Sequence, residues 1–342
     1  MNNVITFNDH LKGTNRLHSI LAELQAEEKT KHDLIIHPKD FRMNNKGMLI
    51  SRDKSINHHV TDWALGQLAS RVDAGLPIRY LRKCPPELQA INVNHWMEKF
   101  DDKHTPWLLR TSTGQENGLI RGILSERYSP FDDHEIIEIL TQFFGKQDAD
   151  IEVNWWHRDN TGFHLRILFN DLTTTVGTLA DGKPDVHKVG LHIENSEVGK
   201  KSIRITPLVW RLVCSNGMMG WSVDGDVFKQ RHLYLKPHEM YGRVSEAIGS
   251  ALKVGDAAIE ELIQAKETPI EDPLEVIKKL SEKNKYSKEF MEKTQGKFLE
   301  EEGNTAFHVI QAFTRACQET KNPDFRTEIE SDSTKMLRQL IG

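Results

Sequence analysis

Between Ile151 and Arg211 apolar residues recur at every second position, a period that an extended strand buries on one side. In "DIEVNWW" Ile151, Val153 and Trp155 alternate with Glu152 and Asn154, and in "GFHLRILF" Phe163, Leu165, Ile167 and Phe169 alternate with His164, Arg166 and Leu168. The intervening "HRDNTG" predicts a β-hairpin, and two further strands, "HKVGLHIEN" and "SIRITPLVWRLVC", flank the turn "SEVGKK". An antiparallel sheet of this kind needs a cover on at least one face. The preceding segment "DDHEIIEILTQFFG" supplies it, with a cap at Asp132 or Asp133, a stripe of Ile136, Ile137, Leu140, Phe143 and Phe144, and Gly145 after the last turn. The predicted fold class is α+β, a central antiparallel β-sheet packed by helices.

The rest of the chain divides around this core. Residues 1–59 are polar and read as an N-terminal arm, with a helix around Leu17 to Glu28 and a short apolar "DLIIHP" ended by Pro38. Residues 60–101 read as a helical subdomain. Its first helix carries Trp63, Leu65, Leu68 and Val72 at three-to-four spacing and stops at Gly75-Leu-Pro77; the second, opening on Pro85-Pro86, turns Leu88, Ile91, Trp96 and Phe100 inward. Residues 102–236 form the α+β core, which begins with a hairpin in "PWLLRTSTGQENGLIRGILSERYSPF". Residues 237–342 read as a charged helical extension broken at Pro269 and Pro273; its last firm helix, "NTAFHVIQAFTRACQ", buries Phe307, Ile310 and Phe313.

With 45 basic and 50 acidic residues, a net charge of -5 gives no global attraction to polyanions, so nucleic-acid binding requires a local patch. No apolar run approaches the roughly 18 residues that span a bilayer, and "MNNVITFNDH" lacks the basic and apolar regions of a signal peptide. The expected location is the cytoplasm, with no membrane partner. Cys84, Cys214 and Cys317 are too few and too far apart for a disulfide framework or a metal knuckle. In "RLVCSNGMMGW", Cys214 reads as a buried strand thiol followed by an Asn216-Gly217 turn that reverses the chain. His157, His164, His187 and His192 fall in the strand region but match no ligand spacing, so neither a metal nor another cofactor is expected.

Two stretches carry the candidate chemistry. The turn "HIENSEVGKK" crowds Glu194, Asn195, Ser196 and Glu197; Glu194, Asn195 and Glu197 are the catalytic candidates, against the plainer reading that Asn and Ser bond the turn while the glutamates face water. Lys200, Lys201, Arg204 and Arg211 form a basic stripe with no acid from Gly199 to Arg211, suited to phosphates. Arg110, Arg121, Arg127 and Tyr128 of the earlier hairpin extend the stripe, and Trp156 offers a stacking surface for bases.

Several ordered motifs carry a resemblance: "GQLASRVDAGLPIRYL", "INVNHWMEKF", "WLLRTS", "IRGILSERYSPFDDHEIIEIL", "GLHIENSEVGKKSIRITPLVWRLVCSNGM" and the closing "NTAFHVIQAFTRACQ" with "RTEIESDSTKML". Together they resemble the phage and plasmid-like proteins grouped as domain of unknown function 932, which implies a mobile-element setting without supplying catalytic residues. The order helix, hairpin, strands, helix is also similar to the core of ring-forming single-strand annealing proteins of the Rad52 type. The expected function is nucleic-acid binding, single-stranded DNA favoured, extending to strand annealing by a homo-oligomer. The alternatives are an enzyme built on the Glu194–Glu197 turn, for which no catalytic motif speaks, and a host- or defence-interaction protein using the charged helices.

Overall fold

The computed structural model describes residues 13–53, 56–72, 75–113, 117–179, 181–213, 216–219, 228–234, 236–301 and 303–342. Its architecture is α+β, with two sheets. The first has the order β1-β5-β6-β4-β3-β2: β1 (Lys31–Ile36), β2 (Phe41–Met43), β3 (Leu49–Ser51), β4 (Asn57–Val60), β5 (Trp107–Ser112) and β6 (Leu119–Ser125), antiparallel except where β4 runs parallel to β6. The expected hairpin is β5–β6, but the segment expected as an arm supplies the other four strands. Those strands are short and half polar, so no run long enough to show a period of two marks them.

Three helices, α2 (Asp62–Arg71), α3 (Ile78–Leu81) and α4 (Pro86–Met97), cover the first sheet. In α4 the inward face is not the one expected. Ala90, Val93 and Met97 are buried, Trp96 and Phe100 are partly buried, and Leu88 and Ile91 are exposed, Ile91 by 65%. The small Ala90 and unbranched Met97 suit a close approach to β2, which turns the bulkier residues outward.

The second sheet is antiparallel throughout: β7 (Ile151–Arg158), β8 (Phe163–Thr178), β9 (Pro184–Asn195), β10 (Ile203–Arg211), with β11 (Asn216–Met219) and β12 (Phe228–Gln230) both along the free edge of β10. The alternation holds along β8, β9 and the start of β10, but in β7 a shift of register between Val153 and Trp155 moves Trp155 to the polar face, over Arg166, and turns Trp156 toward the core instead. Phe163, Leu165, Ile167, Phe169, Leu191, Ile193, Ile203 and Ile205 pack into one core with α1 (Gly13–Glu28), α5 (Asp133–Gln147) and the start of α6 (Pro237–Glu267). Helix α5 opens on a capping box between Asp132 and Glu135, runs through Gly145, and ends at Asp148 in the left-handed region, φ 47°. Glycine was expected there, but a short polar aspartate also tolerates that conformation.

The opposite, polar face of this sheet is covered too. Helices α7 (Pro273–Lys283), α8 (Lys288–Leu299), α9 (Ala306–Gln318) and α10 (Pro323–Ile341) build their own core around Phe307, Ile310 and Phe313, and α10 touches β11. The expected breaks at Pro269 and Pro273 separate α6 from α7. Asn216 and Gly217 are not the chain reversal but the first residues of β11, paired with Arg211 and Trp210. A Cβ on Gly217 would meet the Trp210 ring at 2.6 Å, so the glycine is there for a close approach. Cys214, the thiol of that stretch, lies outside the described residues.

Candidate functional site

The turn after β9 organises the polar interior. Gly199 takes φ 74°, and a Cβ there would meet Leu124 at 2.8 Å, so this turn requires glycine. Helix α2 is fixed onto it: Trp63 Nε1 and Gln67 Nε2 both donate to the Val198 carbonyl, at 3.0 and 2.8 Å. Ser196 Oγ donates to Thr161 O and accepts from Lys200 N, the turn-bonding expected of it.

The glutamates, however, do not face water. Glu197 is 3% exposed and receives Lys31 Nζ at 2.8 Å, Arg121, Arg158 at 3.4 Å and the Asp133 N–H at 3.1 Å. Burial alone would raise its pKa, but Arg158, Arg121 and Lys31 together hold it well below the usual carboxylate range. The neighbouring Asp133, donated to by Arg158 and Asn195, is pushed upward by burial and by the Glu197 charge. Arg110 completes the group: it grips Asp132 with Nη1 and Nη2 at 2.5 and 2.7 Å, reaches Asp33 at 2.9 Å and donates to the Glu197 carbonyl at 2.9 Å. Arg110 and Arg121, expected on a phosphate-binding face, are therefore buried counter-ions. Arg211 is likewise buried, donating to Asp185 and reaching Glu301 at 3.3 Å. Their carboxylate partners lie 22 to 90 positions away in sequence, which is why a stretch free of acids looks unpaired.

A second buried polar group lies between the sheet and α10. Arg166, 0% exposed, pairs with Glu330 through both terminal nitrogens, and its Nε donates to His192 Nδ1 at 3.3 Å. That bond leaves the His192 proton on Nε2, 3.3 Å from His164 Nδ1, and His164 Nε2 in turn donates to Asp324 at 3.1 Å. Lys201 bridges Glu194 at 2.6 Å and Asp324 at 2.5 Å. His164, His192 and Glu194 bring three ligand-type atoms within 4.8 Å of one another. Ligation through His192 Nε2 would move its proton to Nδ1, against the Arg166 N–H, so this donor set does not suit a metal ion. Glu194 and Glu197 are both neutralised by fixed cations, which leaves neither as a free base. Asn195 spends its amide on Phe131 O and Asp133 and its carbonyl on His232.

The accessible part of the site is a cleft over the same turn. One cavity, about 600 Å³, runs between β10, β12 and α10 and is lined by Lys200, Lys201, Arg204, Lys229, Arg231 and Lys335 on the basic side and Glu194, Asp324, Glu328 and Asp332 on the acidic side. A second, about 330 Å³, shares Lys200, Lys201, Ser202 and Arg231 and adds Arg71, with no carboxylate among the described residues that line it. Of the expected cations, Lys200, Lys201 and Arg204 reach this cleft, Arg127 is exposed after β6, and Tyr128 lines the second cavity, stacked on His232 with ring centroids 5.1 Å apart. Trp156 packs, partly buried, on the core beneath the sheet, away from the role of a base-stacking surface. Arg71, Lys229, Arg231 and Lys335 were not anticipated; the run "FKQRH" was the one local signal for two of them.

Buried histidines make stability depend on acid. Desolvation holds His187 and His232 down to about 4 and His192 well below its ordinary 6.5. At these sites the folded chain refuses protons that the unfolded chain accepts, so their contribution to stability falls as pH drops from 6.5 to about 4, and Asp133, pushed up to about 7, offsets part of it by taking up a proton in the folded state. His187 and His232 each contribute up to about 3 kcal/mol to that loss. Urea titrations across the interval check this, and a stability independent of pH there would contradict it; His232→Gln should flatten the slope.

The profile of the family described as Domain of unknown function (DUF932) matches residues 121–341. The chain belongs to this family. No curated protein and no solved structure matches the chain. The DUF932 match encloses Arg121, α5, the second sheet and all the C-terminal helices, hence most of the cleft. Arg71 and Arg110 lie before it, as does the stretch from 60 to 120 that contributed to the resemblance. No helix among the described residues is long and apolar enough to cross a membrane.

Proposed function

We propose that this DUF932 protein binds nucleic acid, with single-stranded DNA the favoured form, along the cleft between β10, β12 and α10. The observation that carries the reading is the lining of the second cavity, where Arg71, Lys200, Lys201 and Arg231 converge on the Gly199 turn with no acid among the described residues. Among the described residues of both cavities the cations Arg71, Lys200, Lys201, Arg204, Lys229, Arg231 and Lys335 outnumber the carboxylates Glu194, Asp324, Glu328 and Asp332, seven to four. A chain of net charge -5 gathers a local excess of positive charge here, as phosphate binding requires. Tyr234, 74% exposed beside the cavity-lining Leu233, offers a flat surface at the same place. Annealing by a homo-oligomer is the extension of this reading to two strands.

Lys200 and Lys201 are poor test positions, since both also hold Asp324. The exposed Lys229 and Arg231 are better. Binding of a labelled single-stranded oligonucleotide should weaken with salt. Lys229→Ala with Arg231→Ala should reduce affinity at least about tenfold and flatten the log–log salt slope by about 0.7 for each phosphate no longer neutralised. Absence of binding at low salt removes the proposal.

A further inference from the structure

Arg71 ends α2 and Arg231 follows β12, yet both line the cavity of about 330 Å³. Arg71 is half-buried, and among the described residues its guanidinium donates to the Gln67 carbonyl of its own helix, at 3.3 Å. Neither guanidinium has a carboxylate partner among the described residues, unlike Arg110, Arg121, Arg158, Arg166 and Arg211. Arg71 has thus given up water without gaining an anion, a cost that a bound anion would offset.

The number of forks narrows the class of anion. A guanidinium presents a planar fork that matches two oxygens. An internal phosphodiester has two non-bridging oxygens and one charge, enough for one fork. A phosphomonoester has three terminal oxygens and a charge of about -1.5 to -2, enough for both. Ser202 adds a hydroxyl, while Leu124 and Leu233 give the cavity an apolar wall against which a sugar or base can lie. The volume suits a single nucleotide-sized group.

We infer that this cavity is a phosphomonoester subsite, taking the phosphorylated end of a single strand between Arg71 and Arg231. The inference rests on the nucleic-acid reading above and names the part of the strand that enters the pocket; a free nucleoside monophosphate carries the same group.

The test uses the full chain and internally labelled single strands of one sequence, ending in a 5′-phosphate, a 3′-phosphate or hydroxyls only, with a nucleoside monophosphate and its nucleoside as competitors. A phosphorylated end should bind about tenfold tighter than the hydroxyl form. Arg71→Gln and Arg231→Gln, with folding verified by circular dichroism, should each shrink that ratio to about twofold or less. Equal, salt-sensitive affinity for all ends would overturn the subsite and leave nucleic-acid binding intact. Binding of the monophosphate without binding of any strand would support the subsite and overturn the nucleic-acid reading. No preference for the monophosphate over its nucleoside, together with no strand binding, would overturn both.

Discussion

Glu197→Ala is expected to cost about 3 to 5 kcal/mol of folding stability, the range for removing one member of a buried ion pair. The reason is what remains. Lys31, Arg121 and Arg158 converge on this carboxylate from β1, β6 and β7, and Lys31 and Arg121 are themselves 8% and 6% exposed. Without Glu197 they keep the burial and lose the anion, and the remaining carboxylates among the described residues are Glu28 on Lys31 and Asp133 and the half-exposed Glu27 on Arg158, with none on Arg121. The same carboxylate accepts the first N–H of α5 and joins strands of both sheets, so the loss should fall on the whole unit rather than one element. Urea unfolding should show a lower midpoint with an unchanged slope. Glu197→Gln, which keeps the volume and one acceptor, should cost less. A penalty below about 1 kcal/mol for the alanine variant would mean that water reaches the cluster after substitution.

The second large effect is expected at Glu330. Arg166 and Glu330 are each 0% exposed, and their pair is the main ionic link between the polar face of β8 and α10. Arg166 lies over the Trp155 and Trp210 rings, at 5.0 and 5.5 Å, and shares them with Arg326. Burial and the Arg326 charge already push the Arg166 guanidinium down to about 10. Glu330→Ala therefore strands a desolvated cation beside a second one and should cost about 3 to 5 kcal/mol. Because Lys200, Lys201 and His164 also hold α10 through Asp324, the helix should loosen rather than leave, seen as faster proteolysis at its lysines and arginines. The double variant Arg166→Met with Glu330→Leu should recover most of the loss, since a buried pair replaced by apolar groups of similar size is often neutral. Equal destabilisation by single and double variants would show that shape, not charge, is what this pairing supplies.

Much of the fold is legible in local pattern. The period of two placed β7 to β10, the stripe and cap placed α5, and the prolines placed the break before α7. What escaped is informative in particular places. Strands β2, β3 and β4 are three or four residues long, too short for a period to show. In α4 the interior chose Ala90 and Met97 over Leu88 and Ile91, because closeness to β2 mattered more than side-chain size. For the site, the turn at Glu194 to Gly199 was recognised and Lys200, Lys201 and Arg204 do reach the cleft, while Arg71 comes from a helix more than a hundred positions earlier. No local spacing announces a partner at that distance.

The sequence by itself determined an antiparallel sheet with one apolar and one polar face, since side-chain alternation is a property of the backbone. Only the tertiary structure decided what the polar face meets. His164, Arg166 and His192 sit on it as solvent-facing residues would, yet α10 covers them, and each is then satisfied by a partner that alternation does not encode. The same holds for Arg110, Arg121 and Arg211: a guanidinium reads as free when its neighbours in sequence are neutral, and whether it pairs inward or faces the cleft depends on carboxylates brought up by folding.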